Sequence, residues 1–377
     1  MASNFDDLKI FMDSAIEKHG LSGIDCIIHQ DYKEIFRHTS GFADMEEKTP
    51  IAPGSIYNVY SATKVITCVA AMQLLEKGQM LLTDPLYAYL PEYKDMLVKH
   101  GSLYILPAKK HIKVFDLFAM TSGISYERDT PAFKKLNEET GGDFSSREFM
   151  KAYAEVPLEH EPGEGWNYGY SHDVLSVLIE VISGMTFGEY LKKNIFEPLG
   201  MKDSDFYLPD EKRARRIPQY AYNPTDGSVV RTSDECLGQA GKRHESGGGG
   251  LIMASEDYML FADVIANGGI SANGERIISH ESIGLMSENH LSGKQLEDYR
   301  KIMPAGNGYG LGVNVVMDPK ANKTLVPAGT FGWGGAGGVQ CSFNQKYRLS
   351  YYVAQHLFLS PKHLLQPHMM NIVYANL

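Results

Sequence analysis

Cysteine is scarce in this chain: four residues in 377, at positions 26, 68, 236 and 341, with no CxxC pair among them. That spacing excludes a disulfide framework, a zinc ribbon and a thioredoxin-like dithiol, and leaves free thiols in a reducing, cytoplasmic compartment as the expectation. Positive charge is also short. With 36 Lys and Arg against 46 Asp and Glu, the net charge is −10, which argues against a nucleic-acid partner or an anionic membrane surface. The one basic cluster, Lys212, Arg213, Arg215 and Arg216, reads as a solvated face. No apolar run approaches the roughly 20 residues that span a bilayer. The N-terminal stretch MASNFDDLKIFMDSAIEKHG lacks the basic start and apolar core of a signal peptide. HExxH, a P-loop and a strand-linked GxGxxG are absent, and the 13 histidines never fall at metal-ligand spacing, so neither a metal nor a cofactor is expected.

What is present is an ordinary globular composition, 43% hydrophobic and 22% charged, in a chain long enough for one large domain or two sharing a core. Phe5, Leu8, Met12, Ala15 and Ile16 recur at helical spacing over residues 4–19, with Gly20 as a stop. Two strand-like runs follow, 25–29 and 34–38, with a polar turn at 30–33. From residue 86 to 199 helices dominate, at 113–119, 146–153 and 174–182, separated by irregular loops of which 126–142 is the longest. A polar linker covers 207–233. A Gly tract at 246–251 then leads to a helix that Ser255 is placed to cap. Strands are predicted at 313–316, 339–343 and 349–355, the last two as a hairpin, and a helix over 361–375 closes the chain. The resulting division is an α/β domain built from 1–60 and 230–377, with a mainly helical domain, 61–229, inserted between its parts.

The stretch YNVYSATKVITCVAAMQLLEKG, residues 57–78, organises the rest. Its run from Val65 to Leu75 is apolar on every side, so it predicts a helix buried nearly all round, ending at Gly78. Ser61 and Lys64 stand three residues apart at its head and share one side of the helix. A serine in the first helical turn is surrounded by free backbone N–H groups and the positive helix end. A lone Ser-x-x-Lys is common by chance, and context decides what it means.

Two further motifs supply that context: PGEGWNYGYSHDVLSVLIEVISG at 162–184 and Gly332-Trp-Gly-Gly-Ala-Gly-Gly338. Together with Thr83-Asp-Pro, Tyr89-Leu-Pro91, Thr121-Ser-Gly123, Ile195-Phe-Glu-Pro-Leu-Gly-Met201 and Ser246–Leu251, they occur in the order found in serine β-lactamases and penicillin-binding-protein-like proteins. More narrowly the chain resembles their class C-related esterase branch, the family VIII carboxylesterases. The resemblance implies an α/β fold with an antiparallel sheet flanked by helices, plus a mainly helical domain, with the active site in the cleft between them.

It also implies roles. Ser61 becomes the acylated nucleophile. Lys64 is a candidate base if desolvation lowers its pKa enough to keep it partly neutral. A tyrosinate beside that lysine is the other candidate. Tyr168 lies six residues after Pro162 and five before Asp173, the spacing of the esterase branch, although Gly169 and Ser176 depart from its usual text. Tyr170 remains the alternative. Oxyanion donors are expected from the backbone N–H groups of Ser61 and Ala336, the latter on an edge strand, where Gly334 and Gly335 permit close approach to substrate. Trp333 and Gly334 replace the Lys-Thr pair that holds a substrate carboxylate in β-lactamases and peptidases of the superfamily. An indole wall favours an uncharged group. The substrate-binding set is therefore Trp333, Gly334, Gly335 and Tyr170. The expected activity is hydrolysis of short or medium neutral esters through an acyl-enzyme, with acyl transfer by the same residues as the alternative. β-Lactamase or D-amino-acid peptidase activity is a more distant one, and a non-catalytic sensor on this fold is the reading of a different class. The expected partner is a small-molecule ester, and the oligomeric state is left open.

Overall fold

The computed structural model describes residues 5–101, 104–232, 241–360 and 362–377, without the side chains of 362–364. Cys236 and the end of the 207–233 linker lie outside the described residues.

Eight strands form one antiparallel sheet: β1 Gly23–Gln30, β2 Lys33–Asp44, β3 Thr49–Pro50, β4 Asn307–Tyr309, β5 Asn314–Val316, β6 Phe331–Gly334, β7 Gln340–Asn344 and β8 Leu349–Ala354. Their spatial order is β4-β5-β6-β7-β8-β1-β2-β3. The two ends of the chain are thus stitched together where β8 pairs with β1, from Asp25↔Ala354 to Gln30↔Leu349. The polar turn between β1 and β2 is a two-residue one, Asp31 and Tyr32 with φ of 52° and 63°. Two positive φ angles give the turn whose twist matches that of the flanking strands.

Both faces of this sheet are covered, and alternation along each strand sorts the side chains between two cores. Ile24, Cys26 and Ile28 of β1, with Tyr351 and Val353 of β8, pack under helices α1 (Asp6–His19) and α5 (Lys362–Ala375). Ile27, Cys341, Phe343 and Tyr352 join the larger core, which also holds α2 (Thr63–Glu76), α3 (Ser171–Ser183) and α4 (Ser255–Ala266). Helix α2 is buried from Thr63 to Leu74. Each fully buried Val, Ile, Leu or Met there contributes roughly 1.5–3 kcal/mol, so this helix anchors the molecule. It ends as its sequence predicts, with Gly78 at φ 66° and Gln79 N–H bonded to the Leu74 carbonyl at 3.0 Å.

Three local expectations need correction. Leu97–His100 and Tyr104–Pro107 form a hairpin in a stretch read as helix and loop. The segment read as one irregular loop, 126–142, contains a helix, Pro131–Thr140, capped by the Thr130 hydroxyl. Its signals were in the text: Thr at the N-cap, Pro at the first helical position and Gly141 past the end. Ser255 is the first residue of α4 rather than its cap, a place taken by Ala254. No single helix among the described residues is long and apolar enough to cross a membrane.

Candidate active site

Ser61 sits in a single 3-10 turn, Tyr60–Ala62, that feeds directly into α2. Tyr60 enters this turn with φ of 46°, a left-handed conformation that costs a non-glycine residue of order 1–3 kcal/mol. Packing of its ring on Phe358, with centroids 4.8 Å apart, and a hydrogen bond from its hydroxyl to Gln219 Oε1 at 3.2 Å hold it there. One turn on, Lys64 is fully buried. Its ammonium donates to Ser61 Oγ at 3.3 Å, to the Tyr126 hydroxyl at 3.0 Å and, in a short bond, to the Gly248 carbonyl.

The charge on Lys64 departs from the sequence expectation. Burial by itself pulls the amine down, but the phenol oxygens of Tyr126 and Tyr168 and the carboxylate of Asp173 outweigh it, and its pKa lies above the ordinary lysine value. Lys64 is therefore a cation, not a partly neutral base. Asp173, in the first turn of α3, is its buried counter-charge. Burial pushes that carboxyl up, yet His244, Lys64 and the Ser246 hydroxyl pull harder and hold it below the usual carboxylate range. Its Oδ1 accepts from Ser246 Oγ at 2.5 Å and from the Gly248 N–H at 3.2 Å. Gly248 thus links the two charges, its N–H to the carboxylate and its carbonyl to the ammonium. A Cβ on Gly248 would lie 2.2 Å from Asp173 Oδ2, which explains the glycine tract at this point. His172 is no rival base. Burial and the Lys64 charge lower it to about 3, and its Nε2 faces the Phe118 carbonyl.

The two candidate tyrosines point apart. A Cβ on Gly169 would fall 1.9 Å from the Ile124 carbonyl oxygen, so the backbone of this segment lies hard against Ile124, and only glycine fits between the two tyrosines. Tyr168 turns towards Lys64, whose Nζ stands 4.7 Å from its ring centroid, and its hydroxyl accepts from Trp333 Nε1 at 3.0 Å. Tyr170 turns inward. It is 2% exposed, packs on Tyr126, Phe149 and Tyr153, and its hydroxyl is held by Arg128. Tyr170 is a core residue and does not line the cleft, contrary to expectation.

Tyr126 is the site residue that sequence reasoning missed. The residue is 40% exposed, while its hydroxyl meets Lys64. Burial of that hydroxyl raises its pKa, with the Lys64 cation working in the opposite direction. The family-like block Thr121-Ser-Gly123, three residues upstream, was the signal available for it.

Beyond Tyr168 the sheet edge opens. Pairing of β5 with β6 stops at Asn314↔Gly332, leaving that edge of Trp333–Gly334 unpaired by β5. Gly335–Gly338 form the turn into β7, closed by Gly335 N–H to the Val339 carbonyl at 2.8 Å. Ala336 accordingly lies in this turn, not on the strand. Neither its N–H nor that of Ser61 has a hydrogen-bond partner among the described residues. Gly335 is required for a reason beyond the one expected: its Cβ would meet the Val59 carbonyl at 2.3 Å, so it docks the turn onto the Ser61 segment. A cavity of about 390 Å³ collects these groups, with Ser61, Tyr168, Trp333, Gly334, Gly335 and Ala336 in its wall and Ile302 and Met303 opposite as apolar cover. Trp333 is more than a wall. Its ring is 8% exposed and packs on Tyr309 at 5.3 Å, and its N–H is committed to Tyr168.

The family model described as Beta-lactamase matches residues 8–363. The chain belongs to the beta-lactamase family. Among relatives in it, Protein Rv1367c of Mycobacterium tuberculosis is 29% identical over 335 residues, covering 84% of this chain and 81% of that protein. Esterase EstB of Burkholderia gladioli is 26% identical over 355 residues, covering 88% and 85%. The solved structure of "EstCE1, a hydrolase with promiscuous acyltransferase activity" superimposes with a TM-score of 0.81 over 98% of both chains at 20% identity, a likeness of fold. The beta-lactamase fold therefore extends over nearly the whole chain, and Ser61 and Lys64 fall within the matched span.

Proposed function

We propose that this protein is a serine carboxylesterase that works on neutral esters through an acyl-enzyme on Ser61. The observation that carries the proposal is the placing of Ser61, Tyr168 and Ala336 in the wall of one cavity, with the buried Lys64 ammonium donating to the Ser61 hydroxyl at 3.3 Å. Ser61 Oγ adds to the ester carbonyl carbon and passes its proton to a general base, the role assigned to the Tyr168 oxygen beside Lys64. The N–H groups of Ser61 and Ala336 hold the oxyanion. Collapse breaks the bond to the alcohol, which leaves with the proton from Tyr168. Water repeats the sequence on the acyl-enzyme and releases the acid.

The cavity wall supports the neutral substrate. Trp333 stands where β-lactamases of this superfamily carry a lysine, and among the described residues no charged side chain lines the cavity, so a substrate carboxylate would lose its charge-assisted partner. Turnover of p-nitrophenyl acetate and butyrate is expected to exceed that of a chromogenic cephalosporin by a factor of about 100 or more, the order of one lost charged hydrogen bond. A preference for the cephalosporin would overturn the reading. Acyl transfer is the second reading, because an alcohol can replace water in the last step. Esterase is the name EstB carries, and measuring the product split with added alcohol separates the two outcomes.

The tyrosines can be ranked. Tyr168→Phe is expected to lower kcat/KM by about 10²–10⁴, the usual range for removal of a general acid–base group. Tyr126→Phe, which removes only a partner of Lys64, is expected to cost less. Steady-state kinetics on one ester reads both, and the reverse order would move the proton-transfer role to Tyr126.

With this reading go a cleft between residues 61–229 and the two outer parts of the chain, and a reducing, cytoplasmic setting, which suits the buried unpaired thiols of Cys26, Cys68 and Cys341.

A further inference from the structure

A second cavity, of about 240 Å³, lies beside the first between β5, β6, β7 and helix α5. Asn314, Gly332 and Gln340 line both cavities. They form the partition between the two, and Gly332 contributes no side chain to it. The apolar part of the second cavity's lining is Val316, Val326, Phe331, Pro367 and Met370 together with Pro304.

The chemistry of this space is unusual for its composition. Asparagine, glutamine, threonine and serine are well represented in its wall, yet among the described residues none of its side chains is charged. Several of its polar atoms are already paired, mostly with residues outside the lining. Asn322 Nδ2 donates to Asn307 Oδ1 at 2.6 Å, Asn314 Oδ1 accepts from the Tyr299 hydroxyl at 2.7 Å, and Thr330 Oγ1 accepts from Asn344 Nδ2 at 2.8 Å. Gln340 Nε2 donates to the Cys341 carbonyl at 3.2 Å, and Gln366 Oε1 accepts from the Tyr351 hydroxyl at 3.0 Å. Groups already paired offer little to a polar ligand, which would surrender its water bonds for nothing. A carboxylate or ammonium would find no counter-charge. An apolar group gains by leaving water and costs the wall nothing.

We infer that this second cavity receives the far end of a long, uncharged ester group, reached from Ser61 past Gln340. The inference rests on the esterase reading and extends it: the enzyme accepts short esters in the first cavity and gains binding energy from longer chains in the second. Two sources fit the same chemistry, the acyl chain and the alkyl chain of the alcohol, and substrate series separate them.

The test compares wild type with two variants that fill the second cavity from opposite sides, Met370→Trp and Val326→Phe, each checked for an unchanged near-ultraviolet dichroism spectrum. One series is p-nitrophenyl acetate, butyrate, octanoate and dodecanoate; the other is ethyl, butyl and octyl acetate. The ratio of kcat/KM for the longest to the shortest member is expected to fall at least ten-fold in a folded variant. A fall in the first series seats the acyl chain there, and a fall in the second seats the alcohol. Ratios unchanged in both series overturn the inference. Calorimetric titration of 2-dodecanone into the Ser61→Ala protein reads the cavity without turnover, and at least ten-fold weaker binding is expected once either filling substitution is added. If the wild type hydrolyses no ester, the esterase reading fails, and this titration alone decides the cavity: unchanged affinity in both filled variants contradicts it.

Discussion

Lys64→Met is expected to lower kcat/KM for a p-nitrophenyl ester by a factor on the order of 10³ or more. Methionine keeps the length and apolar stem of the side chain but removes the charge next to Ser61 Oγ and the phenol oxygens. The negative charge that develops as Ser61 adds to the ester then has only backbone N–H groups to meet it. The same change also strikes the fold. It leaves Asp173, 1% exposed, as a buried carboxylate facing only His244 and its hydrogen-bond donors, and stranding one partner of a buried pair costs up to about 3–5 kcal/mol. Denaturant unfolding and ester kinetics on the same sample read both effects.

Asp173→Asn is the second large effect, and it tests the pair from the other side. The amide retains the shape and can still meet Gly248 and Ser246, but Lys64 becomes an unbalanced buried cation, again at about 3–5 kcal/mol. The two substitutions should not add. In the double variant Lys64→Met, Asp173→Asn neither charge remains, so most of the stability returns, giving a coupling of at least about 3–5 kcal/mol in a double-mutant cycle. Activity does not return, because the cation is still missing. Recovery of stability without recovery of turnover is the pattern that identifies Asp173 as a positioning residue. Additive losses of stability would mean that the pair is not coupled through Gly248.

The pH dependence follows from the direction of each shift. Asp173 has a lowered pKa in the folded state, so its contribution is complete above the ordinary carboxylate value of about 3.9 and is lost as pH falls through the folded value. Lys64 has a raised one, so its contribution is complete below about 10.4 and is lost as pH rises through the folded value. The penalty of Asp173→Asn is therefore expected to be constant between about pH 5 and 9.

Much of this site was legible because the chemistry is written in short spacings. Ser61 and Lys64 share a helix side whatever the tertiary structure does. Tyr168 and the Trp333–Ala336 segment stand in motifs whose order resembles that of a known family. The helical region and the terminal hairpin followed from periodicity and from turn residues. What sequence could not supply were effects carried across long separations. Asp173 reaches Lys64 through Gly248, and no local pattern reports that route, so the sequence leaves the charge state of Lys64 open between a partly neutral base and a cation beside a tyrosinate. Tyr126 lies 62 residues from Lys64 along the chain, in a stretch whose helix at Pro131–Thr140 was overlooked. The fates of Tyr168 and Tyr170 depended on how closely Gly169 approaches Ile124, a contact distance rather than a pattern. Gly335 lines the Ser61 cavity as expected, and its close approach to the Val59 carbonyl is a contact that no sequence pattern reports.

The central claim is that chemistry proceeds through a covalent acyl group on Ser61. Acid-quenching the protein during turnover of a slowly deacylating p-nitrophenyl ester, followed by peptide mapping by mass spectrometry, tests it directly. The predicted result is one acyl adduct on the peptide carrying Ser61, absent from Ser61→Ala along with all turnover. Full hydrolytic activity in Ser61→Ala, or an adduct on another residue, would contradict it.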